Sequence, residues 1–546
     1  MTQADALQIA DLVPPDNAGA REIGFTIGER YNASRVLFDN LQAGRGDRTA
    51  LIGPSGKLSY SQLCAEAARW GNGFRSLGLR RGDRILMFLD DTPAYPAAFF
   101  GAVRAGFVPL LINTLSPPDL LEFYLSDSGA TVAVTDAEFM TRFDRLAADT
   151  PLRSLIVVNG APAPHAAVRV LPASTWLAEF SSTLEESDTH RNDMAFWMYS
   201  SGSTGRPKGI VHLHHDMAYS NDAFAAHVLK LKPDDICFSV PKMFFAYGFG
   251  NSVTFPFSAG ASSLLLPGQP KPETIFAAIA QYKPTVFFGL PTLYTALTKA
   301  AGTAACDFSS LRMSLSAAEV LSAEVFNGWK GLTGLEIVEG LGSTEALHIY
   351  LSNVAERKKL GSAGLRVPGY EIALKDKDGR LVGDGEEGIL WVRGDSNTPQ
   401  YWNRPDKTAE TIREGGWIYT GDRFVRDRDG FFFFRGRADD LIKISGQWVY
   451  PLEVELCLAD HPDVLECAVF GVELPDRRMT LKAAVVMKEG RFEPAQATKA
   501  LQDYVKGKLV PYKYPREIQF LDELPKTGTG KIDRQTILKS LTSANQ

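Results

Sequence analysis

Cysteine is scarce in this chain. Cys64, Cys237, Cys306, Cys457 and Cys467 are the five in 546 residues. None forms a C-x-x-C pair and the number is odd, which excludes a disulfide framework or zinc site as the organising element. All five are expected to act as small buried apolar residues. An excess of positive charge is also lacking. Lys and Arg total 58 against 64 Asp and Glu, a net charge of −6. That excludes nucleic acid as a main partner, although one local cationic loop can still hold a small anion. No uninterrupted apolar run reaches membrane-spanning length, so no membrane partner is expected. Met1-Thr-Gln-Ala-Asp-Ala lacks the basic region and apolar stretch of a signal peptide, and the chain reads as cytoplasmic. Internal repeats and low-complexity tracts are absent.

What is there is an ordinary globular composition, 45% hydrophobic and 22% charged, in a length that suits two or three domains. Short β-rich runs alternate with helical patterns through about the first four hundred residues. Arg84–Leu89, Thr131–Thr135, Ser154–Val158 and Thr285–Gly289 predict buried strands; Tyr60–Leu77 and Thr274–Gln281 predict amphipathic helices. Such alternation predicts an α/β fold with parallel-rich sheets covered by helices. Phe431-Phe-Phe-Phe434 predicts a strand buried on both faces, and Arg435–Asp440 a linker. The expected division is a large domain, 1–437, and a small α+β domain, 438–546.

The most distinctive segment is Tyr199-Ser-Ser-Gly-Ser-Thr-Gly-Arg-Pro-Lys-Gly209. Its glycines let backbone N–H groups turn toward an anion without a Cβ in the way. Ser200, Ser201, Ser203 and Thr204 add donors, Gly202 and Gly205 add freedom, and Lys208 adds charge. The natural guest is a triphosphate. This is not the common nucleoside-triphosphatase loop, because Pro207 precedes Lys208 and Gly209 follows it, so no Lys-Ser/Thr pair is offered to a metal. A second Gly/Thr loop, Lys526-Thr-Gly-Thr-Gly-Lys531, projects a lysine near the end of the chain.

Together with Gly342-Ser-Thr-Glu345, Tyr419-Thr-Gly-Asp422, Arg435-Gly-Arg437 with Asp439, and Lys443-Ile-Ser-Gly446, these segments resemble the acyl-adenylate-forming superfamily of acyl-CoA synthetases, peptide-synthetase adenylation domains and luciferases. The resemblance covers nearly the whole chain, with the motifs in the family's order. It implies a large N-terminal domain, a mobile C-terminal lid pivoting at Asp439, and two half-reactions using ATP, Mg²⁺ and coenzyme A. A carboxylate attacks the α-phosphorus and expels pyrophosphate; a thiol then displaces AMP. By the same resemblance Ser200–Gly205 and Lys208 hold the triphosphate, and Thr344 meets the α-phosphate. Glu345 holds Mg²⁺, Asp422 binds the ribose hydroxyls and Arg437 the ribose or phosphate, with Lys443 and Gly446 alongside. Lys531 bridges the attacking carboxylate and the α-phosphate. Leu341 stands where the family often has an aromatic residue on the adenine.

Lys242-Met-Phe-Phe-Ala-Tyr-Gly-Phe-Gly-Asn251 bears on the acid. Relatives carry a gating histidine where Phe245 falls, and amino-acid-activating relatives an aspartate nearby; neither is present. An ammonium buried without a carboxylate is costly, so amino acids are disfavoured. His348 lies three residues after Glu345 and would share its side on a helical turn. Phe-Phe-Ala-Tyr-Gly, Gly-Ser-Thr-Glu-Ala-Leu-His-Ile and Val510-Pro-Tyr-Lys-Tyr-Pro515 resemble the benzoate-CoA ligase branch, which activates aryl carboxylates. That resemblance implies that Phe245, Ala246, Tyr247, Gly342 and His348 surround the acid. Ala318 stands where this branch often has glycine. A hydroxycinnamate-CoA ligase, or a stand-alone module loading an aryl acid onto a carrier protein, are the competing readings. The exposed Lys531 loop suits a lysine acetyltransferase, and a homodimer is compatible with the sequence.

Overall fold

The computed structural model describes residues 18–144, 146, 150–165, 167–200, 206–301, 306–319, 321–438, 442–444, 447–474, 478–488, 493–510, 512–526 and 532–543. Among them a seven-stranded sheet runs in the spatial order 169–172, 154–158, 132–136, 84–88, 108–111, 194–200, 208–213. Every pair is parallel except the last, Met194–Ser200 with Lys208–Leu213. A nine-stranded sheet has a parallel centre, in the order 337–342, 313–317, 286–289, 236–239, 262–264, 49–53, and antiparallel strands at both ends. A third, antiparallel sheet carries Glu387–Arg393, Trp417–Arg426 and Phe432–Arg437. The small C-terminal sheet, Val464–Glu473, Met479–Met487 and Glu517–Phe520, is buried on both faces, by helices Pro451–Ala459 and Pro494–Lys508 on one and Arg534–Ser543 on the other.

The parallel-rich α/β expectation holds, and for a physical reason. Strands covered by helices on both faces are continuous apolar runs. Val132–Asp136 and Ser154–Val158 are buried at every residue. Helix Tyr60–Ser76 begins with a reciprocal cap, Ser59 accepting from the Gln62 N–H and Gln62 from the Ser59 N–H. The phenylalanine run differs from expectation. It opens an antiparallel strand, with Phe432 and Phe434 on the core side. Phe431 and Phe433 instead lie beneath the Lys359 ammonium, 5.6 and 5.8 Å from the ring centroids. Arg435–Arg437 is the end of that strand rather than a linker. The five cysteines are free thiols, four of them buried. No helix among the described residues is long and apolar enough to cross a membrane.

Helix Tyr60–Ser76 packs unusually close to helix Ala94–Arg104. A Cβ at Gly101 would lie 2.8 Å from the Gly71 nitrogen and overlap the Ala67 carbonyl. Gly101→Val should therefore cost about 1–3 kcal/mol through overpacking. The urea midpoint is the measurement, and a midpoint equal to wild type would contradict the close approach.

Candidate active site

Ligands of open parallel sheets bind beyond the carboxyl ends of the strands. Four adjacent strands of the nine-stranded sheet deliver the predicted residues there. Ile236–Ser239 leads to Lys242–Tyr247, Val286–Gly289 to Thr292, Met313–Ala317 to Ala318 and Glu319, and Ile337–Gly342 to Thr344 and Glu345. The seven-stranded sheet meets this edge through Lys242, whose Nζ lies 2.7 Å from Asp90 Oδ1 at the end of strand Arg84–Phe88.

Ser200 and Lys208 face each other as the last pair of an antiparallel ladder, so the predicted phosphate loop between them hangs from paired strand ends. Ser201, Gly202, Ser203, Thr204 and Gly205 lie outside the described residues, as do Asp439, Gly446 and Lys531. Of Lys443 only the backbone, in strand Ile442–Ile444, is described.

Lys208 Nζ sits 4.1 Å from the centroid of the Tyr401 ring, and Tyr401 Oη donates to Glu345 Oε1 at 2.7 Å. The segment 400–402 runs along the outer edge of Lys208–Leu213, with Trp402 N–H on the Gly209 carbonyl at 2.7 Å. The sequence reading missed Tyr401. It lies 56 residues from Glu345 and in no motif; only the pattern of a lone aromatic pair, Tyr401-Trp402, marked it.

Residues 343–348 form a tight turn, not the helical turn predicted from the Glu345–His348 spacing. Leu347 takes φ +69°, a left-handed conformation costly for a branched residue. Gly342 has its own reason to be glycine, since a Cβ would overlap the His348 carbonyl as the chain doubles back. Three successive carbonyls of the turn have donors: Thr344 from His212 Nε2 at 2.9 Å, Glu345 from Thr398 N at 2.6 Å, Ala346 from Ser396 Oγ at 2.8 Å.

Glu345 and His348 consequently part company. Glu345 faces Tyr401, while His348 is buried among Phe224, Tyr247 and Phe255, with ring centroids 4.4–5.6 Å away. A Cβ on Gly250 would lie 2.6 Å from His348 Nε2, so the Cδ2–Nε2 edge of the imidazole lies against bare backbone. Its Nε2 is 3.3 Å from the Tyr247 carbonyl, and burial pushes its pKa down to about 3. The ring is neutral at any working pH. His348 Nδ1 is buried without a protein hydrogen-bond partner, while the buried Tyr247 Oη has the Asn251 side chain beside it. Ala246 is buried and Phe245 half-buried against Phe244.

On the third sheet, Asp422 and Arg437 are cross-strand partners, Arg437 donating to Asp422 Oδ1 at 3.1 Å and to the Thr420 carbonyl at 3.0 Å. The buried Tyr350 joins them to the turn. Burial first, then the Asp422 and Glu345 carboxylates, push its pKa well up. A cavity of about 730 Å³ opens beside Arg437, between Thr292, Ala318 and Glu319 on one side and Leu452 and Arg534 on the other. Ala318 has φ +72°, the conformation that suits the glycine expected there. Glu339 is a further buried carboxyl that no motif signalled; burial raises its pKa to about 8.

Known proteins match nearly the whole of this chain. Residues 38–402 match the AMP-binding enzymes and 453–531 the AMP-binding enzyme C-terminal domain, and the chain belongs to this family. It is 40% identical to the benzoate–CoA ligase of Thauera aromatica, over 93% of this chain and 96% of that one. It is 39% identical to the 4-hydroxybenzoate–CoA/benzoate–CoA ligase of Rhodopseudomonas palustris, over 94% of each. A solved anthranilate CoA ligase in complex with anthranoyl-AMP superposes with a TM-score of 0.88 at 35% identity, over 95% and 99% of the two chains. A solved benzoate CoA ligase from Burkholderia xenovorans gives 0.85 at 37%, over 93% and 99%.

Tyr401→Phe removes the donor to Glu345 and keeps the ring under Lys208. One hydrogen bond to a charged group contributes about 1.5–3 kcal/mol. ATP kcat/KM should fall roughly 10- to 100-fold by that amount, with the acid KM unchanged. Steady-state pyrophosphate release measures both, and an unaltered ATP kcat/KM would remove Tyr401 from the site.

Proposed function

We propose that this protein is an AMP-forming aromatic carboxylate–CoA ligase acting on benzoate or a hydroxybenzoate. In the first step a carboxylate oxygen attacks the α-phosphorus of ATP; the bond to the bridging oxygen breaks and pyrophosphate leaves. In the second, the sulfur of coenzyme A attacks the acyl carbon, the carbon–oxygen bond breaks and AMP leaves. The observation that carries the reading is the cluster of buried rings that follows strand Ile236–Ser239. There Tyr247 and His348 meet, and among the described residues the rings in contact with His348 are Phe224, Tyr247 and Phe255, none of them a carboxylate partner for an ammonium. A planar, apolar acid suits such a lining.

In this reading Ser200–Gly205 and Lys208 take the triphosphate, and Thr344 donates to the α-phosphate. Asp422 accepts from the ribose hydroxyls, and Arg437 supports both it and the phosphates. Phe245, Ala246 and Tyr247 flank the ring, and the neutral His348, its Nε2–H donated to the Tyr247 carbonyl, offers the Nδ1 lone pair to a ring hydroxyl of the acid. Glu345 is the one protein oxygen proposed for Mg²⁺. Among the described residues no three His, Cys, Asp or Glu gather as a metal cage. Mg²⁺ is an ion that keeps waters and is held by one or two carboxylates plus substrate phosphates. When bound, Mg²⁺ would neutralise triphosphate charge. Residues 438–546 would act as the lid, with Asp439 as pivot.

Supplying benzoate, 4-hydroxybenzoate and 4-coumarate in turn, and reading pyrophosphate release and thioester on free coenzyme A, tests the proposal. Turnover of the benzoates above coumarate supports it. A preference for coumarate, or thioester only on an added carrier protein, would replace it.

His348→Ala should raise the KM for a hydroxybenzoate about 10-fold, the loss of one hydrogen bond and its packing, and leave the ATP KM near wild type. Because burial holds the imidazole near pKa 3, its protonation makes no step in acid kcat/KM above about pH 5. A step near pH 6.5 that disappears in His348→Ala would refute the neutral role.

Lys531→Ala leaves two anions to approach unscreened. A preorganised charge contact made in the transition state is worth on the order of 3–4 kcal/mol, so adenylation kcat should drop roughly 10²- to 10³-fold. Thioester formation from supplied acyl-adenylate should hardly change, and acetylation of Lys531 should mimic the substitution. Equal slowing of both half-reactions would reject this role.

A further inference from the structure

Two side chains that the proposed chemistry leaves unused lie directly beneath its central turn. His212 and Asp216 both have 0% exposure. His212 Nδ1 is 2.8 Å from Asp216 Oδ2, and His212 Nε2 is 2.9 Å from the carbonyl oxygen of Thr344. Phe196 stacks on the imidazole, with centroids 5.1 Å apart and planes inclined by 22°, which fixes the ring's plane. The same Asp216 Oδ2 accepts the Leu213 N–H at 3.0 Å. Its other oxygen is 3.3 Å from His215 Nδ1.

The proton positions follow from the partners. A carbonyl oxygen can only accept, so Nε2 facing Thr344 must carry hydrogen. The Nδ1–Oδ2 contact shares one further proton, on whichever side it rests. Asp216 therefore keeps a hydrogen on Nε2 of His212 wherever the shared proton rests, and His212 uses it to hold one carbonyl. That carbonyl begins the turn whose Leu347 sits at φ +69°. A strained conformation persists only when its surroundings over-determine it. The Thr344 carbonyl also accepts the Leu347 N–H at 3.0 Å, so the bond from His212 bears on the strained residue itself.

We propose that Asp216 and His212 form a positioning dyad, which fixes the Thr344 carbonyl and thereby aims the Thr344 hydroxyl and the Glu345 carboxylate at the triphosphate. Neither residue touches substrate. The inference rests on the adenylation role proposed above for that turn.

Three substitutions separate this role from packing. His212→Gln places an amide N–H near the former Nε2 and rebuilds the bond to Thr344. His212→Asn reaches only Asp216. Asp216→Asn changes one atom and no volume. Its amide oxygen must face the Leu213 N–H and hence also Nδ1. Nδ1 then takes the proton, and Nε2 presents a lone pair to the Thr344 carbonyl. A misplacement on the scale of 1 Å costs about 10²-fold in rate. Adenylation kcat, read by pyrophosphate exchange, should fall roughly 10- to 100-fold in His212→Asn and Asp216→Asn by that scale. The KM values for acid and ATP should stay near wild type. His212→Gln should restore most of the rate.

Amide deuterium exchange over the 343–348 segment gives a readout independent of activity. It should be faster than wild type in His212→Asn and Asp216→Asn and close to wild type in His212→Gln. Wild-type enzyme that adenylates no acid would overturn the proposed function, and exchange alone would then decide the dyad. If His212→Gln is as slow in catalysis and as unprotected as His212→Asn, or if Asp216→Asn matches wild type in both readouts, the dyad has no positioning role.

Discussion

Parallel pairing is the constraint on which this architecture depends. Parallel strands all end at the same edge of a sheet, so every loop that follows one is delivered to the same place. Here two sheets bring their carboxyl edges together, joined by Lys242 on Asp90. The segments they carry are far apart in sequence: the loop after Ser200, the ring-rich stretch from Lys242, and the turn after Gly342. None could form a pocket alone.

The meeting of the two edges is polar and largely buried. Asp90 also holds the Gly268 N–H, Asp91 accepts from the Met243 N–H at 3.1 Å, and Asp136 accepts from Asp90 N–H at 2.8 Å and from Asn159. Burial raises the Asp91 pKa to about 6 against the pull of Lys242. Buried carboxylates are tolerated when each has donors. These bonds grip the backbone at Met243, next to Phe244 and Phe245, so the position of the ring-lined wall is set from the neighbouring sheet.

Much of this was legible in the sequence because it is local. Continuous apolar runs at 132–136 and 154–158 identify themselves as doubly covered strands, and Ser59 with Gln62 marks a helix start. The glycine-rich loop and the Gly-Ser-Thr-Glu and Tyr-Thr-Gly-Asp motifs are contiguous, so their order could be read. What could not be read depends on distant partners or on rare backbone. Tyr401 gains meaning only from Lys208 and Glu345, and His212 only from Thr344, 132 residues on. The turn at 343–348 passes for a helical turn because left-handed Leu347 has no signature of its own; glycine or asparagine would have given it away. The four phenylalanines looked doubly buried because composition does not reveal that a lysine covers one face.

The ladder that ends at Ser200 opposite Lys208 has a consequence for how this site tolerates change over evolutionary time. A loop whose two stems are fixed in a sheet can be lengthened cheaply, since doubling its length adds only about 0.6 kcal/mol of closure entropy. Thermal stability would scarcely register an insertion there. In the phosphate-binding role proposed for this loop, its fit to the anion would change at once, while Lys208 stayed where the strand puts it. Folding therefore exerts almost no pressure on the size of that loop, and under the proposed role its length records selection by the guest alone.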